Sequence, residues 1–119
     1  LIHKPHNHYH KILIITMKLN DYQVFTRTTA IYPKDKADVY LALGLASESG
    51  EVAGKLKKHI RDGVLNLDSM FSELGDVLWY LTRLCDEYGI NLEELAQLNY
   101  EKLSGRIERE TIKGSGDIR

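Results

Sequence analysis

Residues 38–61, DVYLALGLASESGEVAGKLKKHIR, indicate the fold most clearly. Apolar residues recur in this segment with the period of an α-helix, so they line one face of it. The members of this stripe are Leu41, Leu45, Val52, Leu56 and Ile60. An apolar stripe must be buried against another element, so the segment predicts a long helix that begins near Asp35 or Asp38 and ends at about Arg61, before Asp62-Gly63.

Three further helices are predicted, at about residues 21–29, 69–88 and 91–110. Their expected N-terminal caps are Asp21, Asp68 or Ser69, and Asn91. The second of the three carries its own apolar stripe, formed by Met70, Phe71, Leu74, Val77, Leu78, Leu81 and Cys85. The connection between the two striped helices is short, which makes them antiparallel neighbours. With no predicted strand, we expect an all-α fold, a small four-helix bundle.

Composition places the chain among ordinary globular domains. It has 119 residues, 43% of them hydrophobic and 28% charged, and a formal net charge of -1. This charge gives no support for bulk binding to nucleic acid or to a membrane surface. The single cysteine, Cys85, excludes an internal disulfide and is predicted to be a buried thiol. We expect a cytoplasmic protein.

The first sixteen residues differ from the rest of the chain. They contain four clustered histidines, His3, His6, His8 and His10, without an accompanying cysteine or carboxylate. We therefore expect residues 1–16 to be an N-terminal extension, disordered or derived from an expression vector or a misread start, and residues 17–119 to be one helical domain that begins at Met17.

Four carboxylates lie in two pairs on the striped helices. Glu48 and Glu51 are three residues apart on one helix, and Glu73 and Asp76 are three apart on the other. Residues at this spacing are neighbours on a helix surface, and both pairs border the apolar stripes. Antiparallel packing would match Glu48 with Asp76, although counting from the predicted helix ends leaves a stagger of about five residues, roughly 7–8 Å.

These pairs have two interpretations. In one, they belong to solvated surfaces, and Glu48 and Glu51 form ordinary ion pairs with Lys55. In the other, they converge beside the core, where four negative charges require a cation. No histidine or cysteine joins them, so the ion would be hard, with Mg²⁺ or Mn²⁺ fitting best. The absence of a Glu-x-x-His pair argues against a di-iron bundle.

Two segments carry a family resemblance. Residues 43–58, LGLASESGEVAGKLKK, resemble the first motif of the MazG-like nucleotide pyrophosphohydrolases, and residues 73–80, ELGDVLWY, resemble the second. Residues 99–106, NYEKLSGR, look like the family's Asn-x-x-Lys-Leu element, and residues 114–117 look like the tail of its short bacterial and phage members. The resemblance extends from about Tyr22 to the end of the chain.

The resemblance implies an all-α fold and hydrolysis of a nucleoside triphosphate, with ribose or deoxyribose, to the monophosphate and pyrophosphate. It implies that Glu48, Glu51, Glu73 and Asp76 are catalytic and hold Mg²⁺, with Mn²⁺ as a substitute. One of them, for which we favour Glu51, would orient the attacking water. It also implies a homodimer or a homotetramer.

A triphosphate needs cationic side chains besides the metal. Lys55, Lys58 and Arg61 follow the first carboxylate pair on one helix, and Lys102 and Arg106 lie one turn apart on the fourth. By resemblance, Asn99 and Lys102 contact the substrate. For the basic residues the alternative is a solvated face, which we prefer for Lys57.

Two aromatic residues of the second motif have alternative roles. Tyr80 either stacks on a base or packs within the fold, and Trp79 either marks an interface with another chain or is covered by the first or fourth helix. Two other functions also stay open. They are phosphoribosyl-ATP pyrophosphohydrolase, which would use similar carboxylates, and a non-catalytic helical interaction module with a solvated acidic face.

Overall fold

The structure, a computed structural model, describes residues 16–109. Within this range the chain forms four α-helices and no strand, which confirms the all-α prediction. The helices are α1 (Leu19–Thr26), α2 (Ala37–Asp62), α3 (Leu67–Glu87) and α4 (Leu92–Glu108), and two short 3-10 turns, Arg27–Thr29 and Lys34–Lys36, connect α1 to α2. The predictions for residues 1–15 and for the tail at 114–117 lie outside the described residues.

Glycine and asparagine set the ends of the long helices. Gly63 follows α2 with φ of 75°, a left-handed conformation that glycine adopts without the steric cost of a side chain. Asn91 caps α4 as predicted, because its side-chain oxygen accepts a hydrogen bond from the Glu94 N–H at 2.8 Å. Gly89, with φ of 77°, follows the end of α3, as the sequence predicts.

Two predicted caps are wrong. Asn66 caps α3, since its side-chain oxygen accepts from the Ser69 N–H at 3.1 Å, so Asp68 and Ser69 lie inside the helix. Similarly, α1 begins at Leu19, and Asp21 lies in its first turn. An acidic side chain in the first turn also stabilises the helix, through the macrodipole. Capping positions and first-turn positions therefore look alike in sequence.

The α2–α3 hairpin is the main scaffold of the fold. The two helices run antiparallel across the connection at residues 63–66, as predicted, and make the most extensive helix–helix contact of the described residues. Gly44 of α2 lies against the ring of Tyr80 on α3, which fixes the register of the pair. Leu41, fully buried, packs with Tyr32 and Ala37 in the core beside this contact.

A buried arginine joins α1 to the C-terminal half of α3. The guanidinium of Arg83 donates to the Thr26 hydroxyl at 3.3 Å and to Asp86 at 2.9 Å, and it also contacts the Tyr32 hydroxyl. Asp86 accepts from Arg27 of the adjoining 3-10 turn at 2.9 Å. Because Arg83 is buried, these partners are what make its charge tolerable inside the protein.

One glutamine joins α1 to the start of α4. The side chain of Gln23 donates to the Ile90 carbonyl at 3.0 Å and accepts from the Leu92 N–H at 2.8 Å. It therefore satisfies backbone groups at the turn between α3 and α4, which would otherwise be buried without partners.

The predicted apolar stripes are only partly buried, so this part of the sequence prediction is wrong. Ile60 is 86% exposed, and Leu56 and Leu74 are each 46% exposed. The apolar pattern of a helix predicts that its apolar face is buried, but it does not predict which element buries it. In the described residues, α4 starts beside the C-terminal end of α3, and in the N-terminal half of the α3 stripe Met70 is buried whereas Phe71 and Leu74 stay exposed.

Two side chains of α3, Cys85 and Trp79, make contacts within the fold. Cys85 is buried, which confirms the prediction of a thiol that packs as a small apolar group. The indole N–H of Trp79 donates to the Thr29 hydroxyl at 2.8 Å, and its ring packs edge-on against Tyr32. Trp79 therefore contacts Thr29, which lies within the predicted first helix (residues 21–29) and, in the structure, in the 3-10 turn that follows α1.

None of the helices formed by residues 16–109 combines the length and the apolar character needed to cross a membrane.

Candidate metal centre

Three carboxylates meet where α2 faces α3. Glu48, Glu73 and Asp76 each offer one oxygen, and these three oxygens all lie within 4.8 Å of one another. Glu48 and Glu73 are partly buried, whereas Asp76 is exposed. The carboxylate cluster, as we call these three residues, therefore has one open side from which an ion and a substrate can approach.

A glycine one turn before Glu48 makes this meeting possible. A Cβ atom at Gly44 would overlap the ring of Tyr80, so only glycine lets the two helices approach this closely. Tyr80 itself lies one turn after Asp76. The same contact therefore brings Glu48 opposite Asp76, which is the match expected for antiparallel helices despite the counted stagger.

The cluster is electrostatically unfavourable by itself. Burial raises the pKa of the Glu48 carboxyl above its usual value, and the nearby negative charges of Asp76, Glu73 and Glu51 raise it further. Both causes disfavour the ionised form, so a cation at this position would relieve desolvation and repulsion together.

Glu51 lies outside this group of three. It is exposed and is not among the residues whose oxygens converge, although its charge still acts on Glu48 one turn away. The sequence predicts four ligands; the structure brings three of them together and leaves the fourth beside them.

A lysine side chain lies beside the carboxylate cluster. Lys55 of α2 extends across to α3, where its Nζ lies 3.6 Å from Oε1 of Glu73. Lys58, one turn further along, is exposed, and together with Lys55 it lines a cavity of about 130 Å³. Arg61 is engaged by its neighbour instead, with Nε 2.7 Å from Oδ1 of Asp62.

Two tyrosines flank the cluster. Tyr80 packs on Gly44 and makes an edge-on contact with Trp79, with ring centroids 5.0 Å apart. Burial raises the pKa of its hydroxyl, and Tyr40 and Glu48 add to this effect. On α1, burial and the charge of Asp76 likewise raise the pKa of Tyr22.

Sequence reasoning missed Tyr22 because α1 is far from both motifs in the chain, and only the folded arrangement brings it near Asp76. Sequence reasoning also missed Gly44, because Gly50 and Gly54 of the same helix look alike in sequence but have no atom within 4 Å of an added Cβ.

The predicted residues of α4 have different surroundings. Asn99 is exposed at the edge of an apolar cavity of about 420 Å³. The other residues that line this cavity are Leu19, Leu78, Leu81, Leu92, Leu95 and Ala96. Lys102 is exposed, whereas Arg106 is only 6% exposed, so Arg106 does not belong to a solvated basic face.

The donor set fits a hard divalent cation. All three converging ligand atoms are carboxylate oxygens, and neither histidine nor cysteine belongs to the group. Mg²⁺ and Mn²⁺ prefer such oxygen ligands, and Mg²⁺ typically takes only a few from the protein while keeping waters and binding phosphates.

Comparison with known proteins gives two matches. The profile of the MazG nucleotide pyrophosphohydrolase domain matches residues 38–110, which contain both carboxylate pairs. The chain is also 40% identical over 114 residues to the protein named Gene 37 protein of Mycobacterium phage L5, covering 87% of this chain and 100% of the phage protein. No solved structure matches the chain.

Proposed function

This chain belongs to the MazG nucleotide pyrophosphohydrolase family, and on that premise we propose that it hydrolyses nucleoside triphosphates to the monophosphate and pyrophosphate. Membership supports nucleotide pyrophosphohydrolase activity in general, in a family that generally depends on a divalent metal. The proposal adds the substrate, a ribo- or deoxyribonucleoside triphosphate, and the metal, Mg²⁺, for which Mn²⁺ can substitute.

The observation that carries this proposal is the convergence of Glu48, Glu73 and Asp76 within 4.8 Å. These three residues would hold the metal, with Glu51 as a further ligand or as the residue that positions water. When bound, the metal supplies charge neutralisation at the phosphate oxygens and lowers the pKa of water.

The reaction requires in-line attack of water on the α-phosphorus. The water oxygen forms a bond to phosphorus, the bond from the α-phosphorus to the bridging oxygen breaks, and pyrophosphate leaves with that oxygen and its electron pair. Glu51, exposed beside the cluster, would accept the proton of the water and pass it to solvent.

The remaining predicted residues would bind the substrate. Lys55 and Lys58 lie on the α2 side of the cluster and suit the phosphates, with Arg61 beyond them. Asn99, which lines the apolar cavity, suits the nucleoside, and the exposed Lys102 follows it on α4. Arg106, predicted with Lys102, is only 6% exposed and would have to leave its buried position to bind the substrate. Tyr80 packs on Gly44 and would support the site through this contact. It is only partly buried, so part of the side chain would be left for a base.

The protein would act as a homodimer or a homotetramer. Several large apolar side chains of the described helices remain exposed, among them Leu43 at 67% and Ile60 at 86%. Apolar side chains grouped on helix faces are typical of surfaces that another chain covers. As a single domain at 17–119 that acts on free nucleotides, the chain would function in the cytoplasm.

The direct test is pyrophosphate release from phosphoribosyl-ATP and from a panel of canonical and modified ribo- and deoxyribonucleoside triphosphates, with and without Mg²⁺. We expect metal-dependent release with the monophosphate as the second product, and Glu51→Gln protein that still binds Mn²⁺ but fails to turn over. Activity confined to phosphoribosyl-ATP would assign the chain to that alternative. No release from any substrate by folded protein would leave the non-catalytic module.

A further inference from the structure

A small cavity lies at the turn between α2 and α3. Its volume is about 130 Å³, and it is lined by Lys55, Lys58, Val64, Leu65, Asn66 and Ser69. The lining holds two ammonium groups, a hydroxyl and an amide but no aromatic ring, so it offers hydrogen-bond donors to an anion and no stacking surface to a base.

The two lysines differ in their ion pairs. Lys55 forms an ion pair with Glu73, with Nζ 3.6 Å from Oε1. Among the ion pairs formed within residues 16–109, none involves Lys58. The hydrogen bond from Arg61 lowers the pKa of Asp62, and the charge of Lys58 adds to this effect. Asp62 is itself held by Arg61 through two contacts of 2.7 and 2.8 Å. Lys58 therefore keeps its ammonium available at the cavity.

Lys55 adjoins both the cavity and the carboxylate cluster. One side of this lysine lines the cavity, and its Nζ contacts Glu73, which belongs to the cluster. Along α2, the order from the cluster to the cavity is Glu48, Lys55 and Lys58. An extended polyphosphate lying on this surface would thus have one part at the carboxylates and its next part between the two lysines.

Resting on the proposed function, we propose that this cavity binds the pyrophosphate part of the substrate, its β- and γ-phosphates. The α-phosphate then lies at the carboxylate cluster, and the nucleoside extends away from the α2–α3 turn. Lys58 and Ser69 would be binding residues for the leaving group. This assignment fixes the direction in which the substrate binds, because a substrate bound in the reverse direction would bring its sugar against two lysines.

The test measures pyrophosphate and nucleoside monophosphate binding separately, by calorimetry in the presence of Mg²⁺, for wild type, Lys58→Ala and Lys57→Ala. Lys57 is the matched control, since it is exposed, adjacent in sequence and carries the same charge. Alanine favours helix at both positions, so both variants should fold. We expect Lys58→Ala to weaken pyrophosphate binding about tenfold, as loss of a charge-assisted hydrogen bond does.

Lys57→Ala should leave pyrophosphate affinity within about twofold of wild type, and neither variant should change monophosphate affinity by more than that. Equal losses in the two variants would overturn the assignment, because they would reflect net charge alone. Loss of monophosphate binding in Lys58→Ala would show that the substrate binds in the opposite direction, and it would overturn the assignment. Absence of pyrophosphate binding to wild type would also overturn the assignment. Binding is read without turnover, so a selective loss in protein that hydrolyses no triphosphate would refute the proposed function and not the anion site.

Discussion

Gly44 has more influence on the site than its lack of a side chain suggests. It permits the ring of Tyr80 to reach the backbone of α2, and this contact brings Glu48 opposite Asp76 one turn away. The cost is a flexible residue inside a long helix, about 1 kcal/mol relative to alanine. The close approach of α2 and α3 therefore outweighs local helix propensity at this position.

Gly44→Ala should destabilise the protein despite the better helix propensity of alanine. The new methyl group would overlap the Tyr80 ring, and overpacking of this kind costs about 1–3 kcal/mol. The free energy of unfolding in urea measures the effect. Gly50→Ala is the matched control on the same helix, because no atom lies within 4 Å of its added Cβ, and it should stabilise by up to about 1 kcal/mol. Equal effects would disprove the close contact.

At the scale of single residues, the sequence predicts a group of four carboxylates, and the structure brings oxygens of three of them together. Spacing places Glu48 and Glu51 on one helix surface, but the ligand geometry depends on how α2 and α3 cross. That crossing follows from Gly44 and Tyr80, which lie in different segments. Tyr22 was missed for the same reason, since no local pattern connects α1 with Asp76.

At the scale of elements, Asp86 connects α1 with α3. It accepts from Gln23, Arg27 and Arg83, and these hydrogen bonds lower the pKa of its carboxyl to about 2 from 3.8. The hydrogen bond from Arg27 is the largest cause, and burial acts against it. A carboxyl whose pKa is lower in the folded state stabilises the fold above its unfolded pKa, and this contribution is lost as the pH falls through the folded pKa.

Asp86→Asn should therefore destabilise the protein at pH 7 by about 2 kcal/mol, with the difference from wild type roughly halved at pH 3 and nearly gone at pH 2. Urea unfolding at pH 7 and pH 3 measures it. Asp35→Asn, which removes an exposed carboxyl from the turn before α2, should change stability by less than about 0.5 kcal/mol. A pH-independent loss in Asp86→Asn would contradict the role of its charge.

Sequence patterns predicted the elements better than their ends. Apolar periodicity over many turns and the Gly63 and Gly89 stops located α2 and α3, and Asn91 located α4. The cap of α3 was misplaced because Asn66, Asp68 and Ser69 are all good capping residues, and only the backbone decides which one lies outside the helix. The 3-10 turn after α1 has no comparable signal.

At the scale of the whole molecule, the exposed apolar surface is the main feature that one chain leaves unexplained. Leu43 and Val39 lie one turn apart on α2, on the side away from the buried Leu41, and both are largely exposed. The amphipathic pattern predicts that apolar faces are covered. It does not predict whether another part of the same chain or a second copy of the chain covers them.

Leu43→Glu should weaken self-association at least about tenfold, because a buried unpaired charge is costly in an apolar interface. Light scattering across a concentration series gives the dissociation constant, and circular dichroism checks that the variant stays helical. Gln97→Glu, which adds the same charge at an exposed polar position of α4, is the control. Wild-type protein that is monomeric at all concentrations would refute the proposed assembly.

We propose that the carboxylates of α2 and α3 form a metal centre at which a nucleoside triphosphate is cleaved between its α- and β-phosphates. Phosphorus NMR of one reaction mixture, comparing wild type with Asp76→Asn in Mg²⁺, tests it most directly. We expect wild type to yield monophosphate and pyrophosphate, and the variant, still helical, to lose at least about a hundredfold in rate, since it lacks one converging ligand. Release of inorganic phosphate and diphosphate by wild type, or an Asp76→Asn protein as active as wild type, would contradict it.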